Sequence, residues 1–144
     1  MPDGLNALAG VSPDPWLGQI LGRLAWRVSP EVGDPATIAA EGGLGFFFTR
    51  IAATDVAAIR RFEDVGFRVV DMTITLEVPV SPASAVKTKG ARFARPADRA
   101  AVAGIAAHSF SLSRFHLDPE IARSIADWTR EAWAANFFDG RRGD

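Results

Sequence analysis

A chain of 144 residues, 48% hydrophobic and 23% charged, can furnish the core of one ordinary domain or two small ones and is not disordered by default. Its net charge of −1 sets up no global field for nucleic acid or an anionic membrane, so neither is expected as a partner. The absence of cysteine excludes disulfides, thiol catalysis and Cys-ligated metals; no run reaches the ~20 apolar residues of a membrane span, the start has no basic secretory n-region, and a cytoplasmic location is expected.

Residues 1–15 are rich in Gly, Pro and Asp and read as a flexible arm. From Trp16 the pattern is apolar. Leu17, Ile20, Leu21 and Leu24 keep helical spacing, while Leu24, Trp26 and Val28 alternate. A turn or short helix feeding a strand over 22–28 is expected. Residues 29–45 carry two Pro and four Gly, with at most a short helix at Ile38–Glu41. The Gly42–Gly45 run precedes a strand rather than following one, so it reads as a turn and not a phosphate loop. Gly45–Ile51, with three consecutive Phe, predicts a buried strand. Thr54 or Asp55 caps a helix bearing Val56, Ile59 and Phe62, and Gly66 ends it. Phe67–Val78 predicts a long strand, with Met72, Ile74, Leu76 and Val78 on one face and Thr73, Thr75 and Glu77 on the other. Strand, helix and strand with short joins make residues 16–80 a small βαβ-like α/β domain.

Residues 81–90 carry Pro, Ser, Lys and Gly without an apolar period and read as a linker. Beyond it, Ala91–Ala94 predicts a short strand, and Asp98 caps a helix with Val102, Ile105, Ala106 and Phe110 as its apolar stripe. A second helix is expected from Asp118 as cap and Pro119 at its first position, with Ile121, Ile125, Trp128 and Ala132 along one face. One strand and two stripes bury each other poorly, so residues 91–144 read as the opening of an incomplete domain. The expected class is mixed α/β (α+β).

Arg92-Phe-Ala-Arg-Pro-Ala-Asp98 and the two helices after it resemble the opening of a GNAT-type (Gcn5-related) N-acetyltransferase domain. Val65-Gly-Phe-Arg-Val-Val-Asp71, the run Ala106–Phe115 ending Ser-Arg-Phe, and Trp128 followed by Asn136-Phe-Phe138 resemble the branch that acetylates dTDP-fucosamine, in which a small α/β domain precedes the GNAT domain. The resemblance covers roughly residues 16–144. It implies transfer of an acetyl group from acetyl-CoA to a small-molecule primary amine, with a nucleotide-linked amino sugar as one acceptor. It also implies an acetyl-CoA signature, Gln/Arg-x-x-Gly-x-Gly/Ala, which is expected after residue 144, and a late tyrosine acid, which this Tyr-free chain lacks. The chain is therefore read as the N-terminal portion of such an enzyme, without a catalytic residue of its own and not expected to bind acetyl-CoA. Gln19-Ile-Leu-Gly-Arg-Leu24 nearly matches the signature, but Leu24 stands where close backbone approach needs Gly or Ala. Ala58–Phe67 resembles the late helix–turn–strand of the same fold.

Both histidines of the chain lie in His108–Asp118. Either suits acid–base work, and together they could share a metal, but no Cys or carboxylate completes a ligand set at helical spacing. Helix-end and loop histidines are commonly surface residues, and the two are read as bystanders. Ser113, Arg114 and Phe115 are the substrate-binding candidates. An Arg fork matches phosphate oxygens and Phe can stack on a base or sugar. The plainer alternative is that Phe115 packs under the loop and Arg114 pairs with Asp118. Phe110 and Trp128 are read as core. A second functional reading is a non-catalytic interaction or dimerisation module, either self-associating through its exposed apolar face or pairing with a separate C-terminal half.

Overall fold

The computed structural model describes residues 8–41, 43–79 and 90–141. Residues 1–7 of the expected arm at 1–15 and residues 81–89 of the expected linker at 81–90 fall outside them; the described part of the arm is not loose but carries a strand, Val11–Pro13. The chain divides into two compact units, Met1–Val70 and Asp71–Asp144.

The first unit runs β1 (Val11–Pro13), α1 (Pro15–Leu21), β2 (Ala25–Val28), α2 (Pro35–Glu41), β3 (Phe46–Phe48) and α3 (Val56–Glu63). Asp14 starts α1 by accepting the Leu17 N–H at 3.0 Å, with Pro15 in the first turn where its missing N–H costs nothing. Gly22, at φ 65°, ends it in the left-handed conformation that an L side chain resists. The chain then folds back so tightly that a Cβ on Gly18 would meet the Arg23 carbonyl oxygen at 3.1 Å. Asp55 caps α3 in the same way as Asp14 caps α1, accepting from the Ala58 N–H.

The sheet has the order β1-β2-β3. β1 pairs antiparallel with β2, placing Val11 opposite Val28, and β2 pairs parallel with β3, placing Trp26 opposite Phe47. A parallel pair needs a crossover, and α2 supplies it. The βαβ unit is thus β2–α2–β3, one element earlier than its expected place at 45–78. Val28, Val32, Ile38 and Phe62 form the core, with Val11, Phe47, Ile51 and Phe67 packed against it. Phe67 meets the Phe62 ring edge-on at 5.0 Å between centroids. Arg61 ties α3 to the loop before α2, donating to the carbonyls of Pro30, Val32 and Gly33.

The long strand expected at 67–78 does not form. Met72, Ile74, Leu76 and Val78 alternate as the pattern requires, yet all are exposed, Leu76 at 89%. A strand exists only through pairing, and no described segment hydrogen-bonds to this one as a ladder.

The second unit holds a 3-10 turn at Pro96–Asp98, then α4 (Arg99–Ser109), α5 (Arg114–Leu117) and α6 (Arg123–Phe138). The expected strand at 91–94 is also unpaired and exposed. Asp98 does not cap α4 through its side chain. Its carboxylate instead takes the Arg95 N–H at 2.7 Å and both terminal nitrogens of Arg92, at 2.6 and 2.9 Å. The start expected for the second helix moves as well. Asp118 accepts from the Glu120 N–H, a local turn that competes with helix, and α6 begins only at Arg123.

α4 packs on α6, and Arg99 at the start of α4 bridges to Asp139 just past the end of α6, so the two run antiparallel. The buried residues are Ala103 and Ala107 on α4 and Ala126, Thr129 and Asn136 on α6. Small side chains let the helices approach, and this overturns the expected faces. Ile105, Phe110 and Trp128, all read as apolar stripe or core, are exposed. Between α4 and α6 it is the alanine-bearing face of each helix that is buried.

Two outcomes follow from these contacts. Phe62→Ala should destabilise the first unit by about 3–5 kcal/mol in urea denaturation, the usual cost of emptying a fully buried aromatic site. The Arg92 pair and the Arg95 N–H hold the Asp98 carboxyl down at about 2 from its ordinary 3.8. A carboxyl depressed on folding contributes stability that is present above pH 3.8 and lost as pH falls towards 2. Carbon-13 titration of Asp98 should show the low midpoint, and Arg92→Ala should move it back towards the ordinary value.

Candidate functional site

The densest cluster of polar side chains lies in the connection between α4 and α6. Ser113 precedes α5 with extended backbone (φ −80°, ψ 159°), and His116 follows one turn later. This spacing brings Ser113 Oγ to 2.6 Å from His116 Nδ1. On the other side, His116 Nε2 lies 2.9 Å from Asp127 Oδ1, on the second turn of α6. The imidazole is sealed, with its side chain 1% exposed, while Asp127 keeps 28%. Arg123, one turn before Asp127, stands 3.9 Å from the other carboxylate oxygen.

The chemistry of the three groups settles the direction of the hydrogen bonds. A carboxylate only accepts, so Nε2 carries the hydrogen and donates to Asp127. In a neutral ring Nδ1 is then a lone pair, and the Ser113 hydroxyl donates to it. If the ring is protonated, Nδ1–H donates instead and the hydroxyl turns to accept. The serine rotor satisfies either arrangement, so neither ring nitrogen is left unpaired.

The substrate-binding candidates occupy the same turn. Ser113 is buried and engaged with His116. Phe115 is buried. The Arg114 guanidinium is partly exposed and lies over the Phe115 ring, 4.6 Å from its centroid. Across the connection, Arg130 lies over Phe110 at 4.7 Å, and burial pushes its guanidinium below the ordinary value.

His108 is exposed at the end of α4, as a surface histidine should be. His116 is not the surface residue it was expected to be: its side chain is buried and bonded at both nitrogens. Its i, i+3 relation to Ser113 is visible in the sequence, but its partner eleven residues on is not, because the tertiary path of 117–122 decides which α6 side chain returns to the ring. Asp127 therefore had no signal beyond its place on a helix. No group of three His, Cys, Asp or Glu side chains among the described residues is disposed to hold a metal ion.

Gln19–Leu24, nearest to a cofactor signature, does not fit one. It forms the C-terminal end of α1 and the turn after it, beside a shallow apolar groove that also includes Pro13 and Trp26. A pyrophosphate cradle needs amide N–H groups at a helix N-terminus, whereas a C-terminus presents carbonyl oxygens.

Compared with models of protein families and with curated proteins, the chain matches none. Among the described residues no helix is long and apolar enough to cross a membrane.

The network is expected to be structural whatever else it does. His116→Leu, which leaves Ser113 Oγ and the Asp127 carboxylate without their shared partner, should lower stability by about 1–3 kcal/mol in urea unfolding. Asp127→Asn, whose amide oxygen still accepts from Nε2–H, should cost less.

Proposed function

We propose that the chain is the acceptor-side, N-terminal portion of an acetyl-CoA-dependent N-acetyltransferase of the GNAT type. Its acceptor is a primary amine, with a nucleotide-linked amino sugar as the class best suited to the turn before and through α5. The observation that carries this reading is the antiparallel pair α4 and α6, joined by a connection that holds Ser113, Arg114 and Phe115 together at the start of α5. This is the arrangement the family resemblance implies for the wall of an acceptor pocket. The Arg114 fork, over the Phe115 ring, is the group suited to a diphosphate. Ser113 and Phe115, both buried, shape and fix the turn from beneath.

In the intact family acetyl-CoA supplies the acetyl group as a thioester. Gln19–Leu24, at a helix C-terminus, does not fit that cofactor, and the reading assigns the acceptor side to this chain. A second reading has its own support. Ile105, Leu112, Trp128, Trp133 and Phe137 are exposed large apolar side chains in the second unit, as an interaction module without catalysis would carry.

Calorimetric titration separates the two. A dTDP-linked amino sugar should bind saturably, and Arg114→Ala should weaken it about tenfold, the loss of one charge-assisted contact. Acetyl-CoA should give no saturable heat. A chain that ignores the nucleotide sugar, and sediments as a dimer or larger, is the interaction module instead.

A further inference from the structure

Residues 72–78 carry the pattern of a half-buried strand and stand in solvent. We propose that they are a dimerisation strand, which pairs antiparallel with the same residues of a second copy of this chain about a two-fold axis at Thr75. The proposal is independent of the acetyltransferase reading and goes beyond it.

The segment lacks a partner, not suitability. Met-Thr-Ile-Thr-Leu-Glu-Val alternates apolar with polar and is rich in β-branched residues. Met72, Ile74, Leu76 and Val78 are 71%, 75%, 89% and 77% exposed, and no hydrogen bond among the described residues engages the backbone of 72–78. Upstream, Phe67 is held against the first core, and downstream Pro79 has no N–H to extend a ladder.

Charge selects the register. A parallel in-register pair sets Glu77 beside Glu77, so identical strands pair better antiparallel. With the axis at Thr73, Val78 falls opposite Arg68. With the axis at Ile74, Asp71 falls opposite Glu77, a like-charge pair. With the axis at Leu76, Pro79 enters the ladder opposite Thr73. With the axis at Thr75, Ile74 meets Leu76 and Met72 meets Val78 on one face, while Thr75 meets its own copy and Thr73 meets Glu77 on the other. A chain of net charge −1 resists self-association little.

A two-stranded ribbon is marginal in water until one face is covered. The same unit holds suitable cover. Asp71, at the start of the segment, acts electrostatically on the Arg130 guanidinium, which lies over the exposed Phe110 ring. The paired strands therefore start beside apolar surface, and Leu112, Trp133 and Phe137 are also exposed in that unit.

Sedimentation of the whole chain should show a concentration-dependent dimer. Neighbouring residues of an antiparallel ladder alternate in which one donates its N–H to the partner. Ile74→Pro combined with Thr75→Pro therefore removes a ladder N–H in either phase. This variant should sediment as monomer, with its helical circular dichroism unchanged because 72–78 bond to no helix. The chain has no cysteine, so single introduced thiols report the register. Thr75→Cys places the two thiols across the axis, with Cβ atoms about 5 Å apart, and should give a disulfide-linked dimer on mild oxidation. Thr73→Cys places them roughly 13 Å apart and should cross-link at least about tenfold more slowly. The thiol rates decide the matter even where the proline variant misfolds. A chain that is monomeric at every concentration, a folded proline variant that still dimerises, or cross-linking at 73 as fast as at 75 overturns the pairing.

Discussion

A buried imidazole leaves neither nitrogen without a partner, and in the second unit that requirement organises the connection between the two main helices. His116 sits one turn after Ser113 and reaches Asp127 on α6, so a single ring joins the start of α5 to the side of its neighbour. The short α5 makes too few backbone hydrogen bonds to persist alone. Phe115 beneath it and His116 across to α6 hold it in place. The orientation of Arg114 depends on the same anchor, because its guanidinium lies on the ring of Phe115.

The first unit solves a comparable problem with a different residue. The loop Ser29–Asp34 exposes carbonyls that no strand or helix takes up, and Arg61 from α3 collects three of them. One planar fork thus fixes the approach to α2 and places Ile38 against Val28 and Phe62. In both units a polar side chain from a later helix fastens an earlier loop, and the apolar contacts close around that fastening. The surface ion pair of Arg92 with Asp98 differs in kind: both groups are solvated, and it shapes a turn rather than stabilising a core.

The exposed faces of the second unit have one cause. Ala103, Ala107 and Ala126 allow close helix contact, and among the described residues no second layer covers the larger side chains on the other faces. Residues 72–78 show the same condition in extended form, with an alternating apolar edge and no ladder.

Local signals written within one turn were legible in the sequence. Asp55 before Val56 and Gly66 marked helix ends because caps and left-handed turns depend on nearest neighbours, whereas Asp14, Pro15 and Gly22, read as arm and strand start, turned out to bound α1. Of the first core, Val28 and Phe62 were also visible as pattern, whereas Ile38 lay in a stretch read as loops around at most a short helix. Strand pairing was not. The β2–α2–β3 crossover displaced the βαβ unit expected later, because periodicity reports that a segment suits a sheet and says nothing about which backbone will pair with it. The face that each helix buries was likewise decided in three dimensions: the apolar stripe is a property of one helix, but contact at Ala103 and Ala126 is a property of two. The candidate site divides along the same line. Ser113, Arg114 and Phe115 stood out by residue type alone, whereas the joining of His116 to Asp127 came only with the tertiary path that returns α6 to the ring.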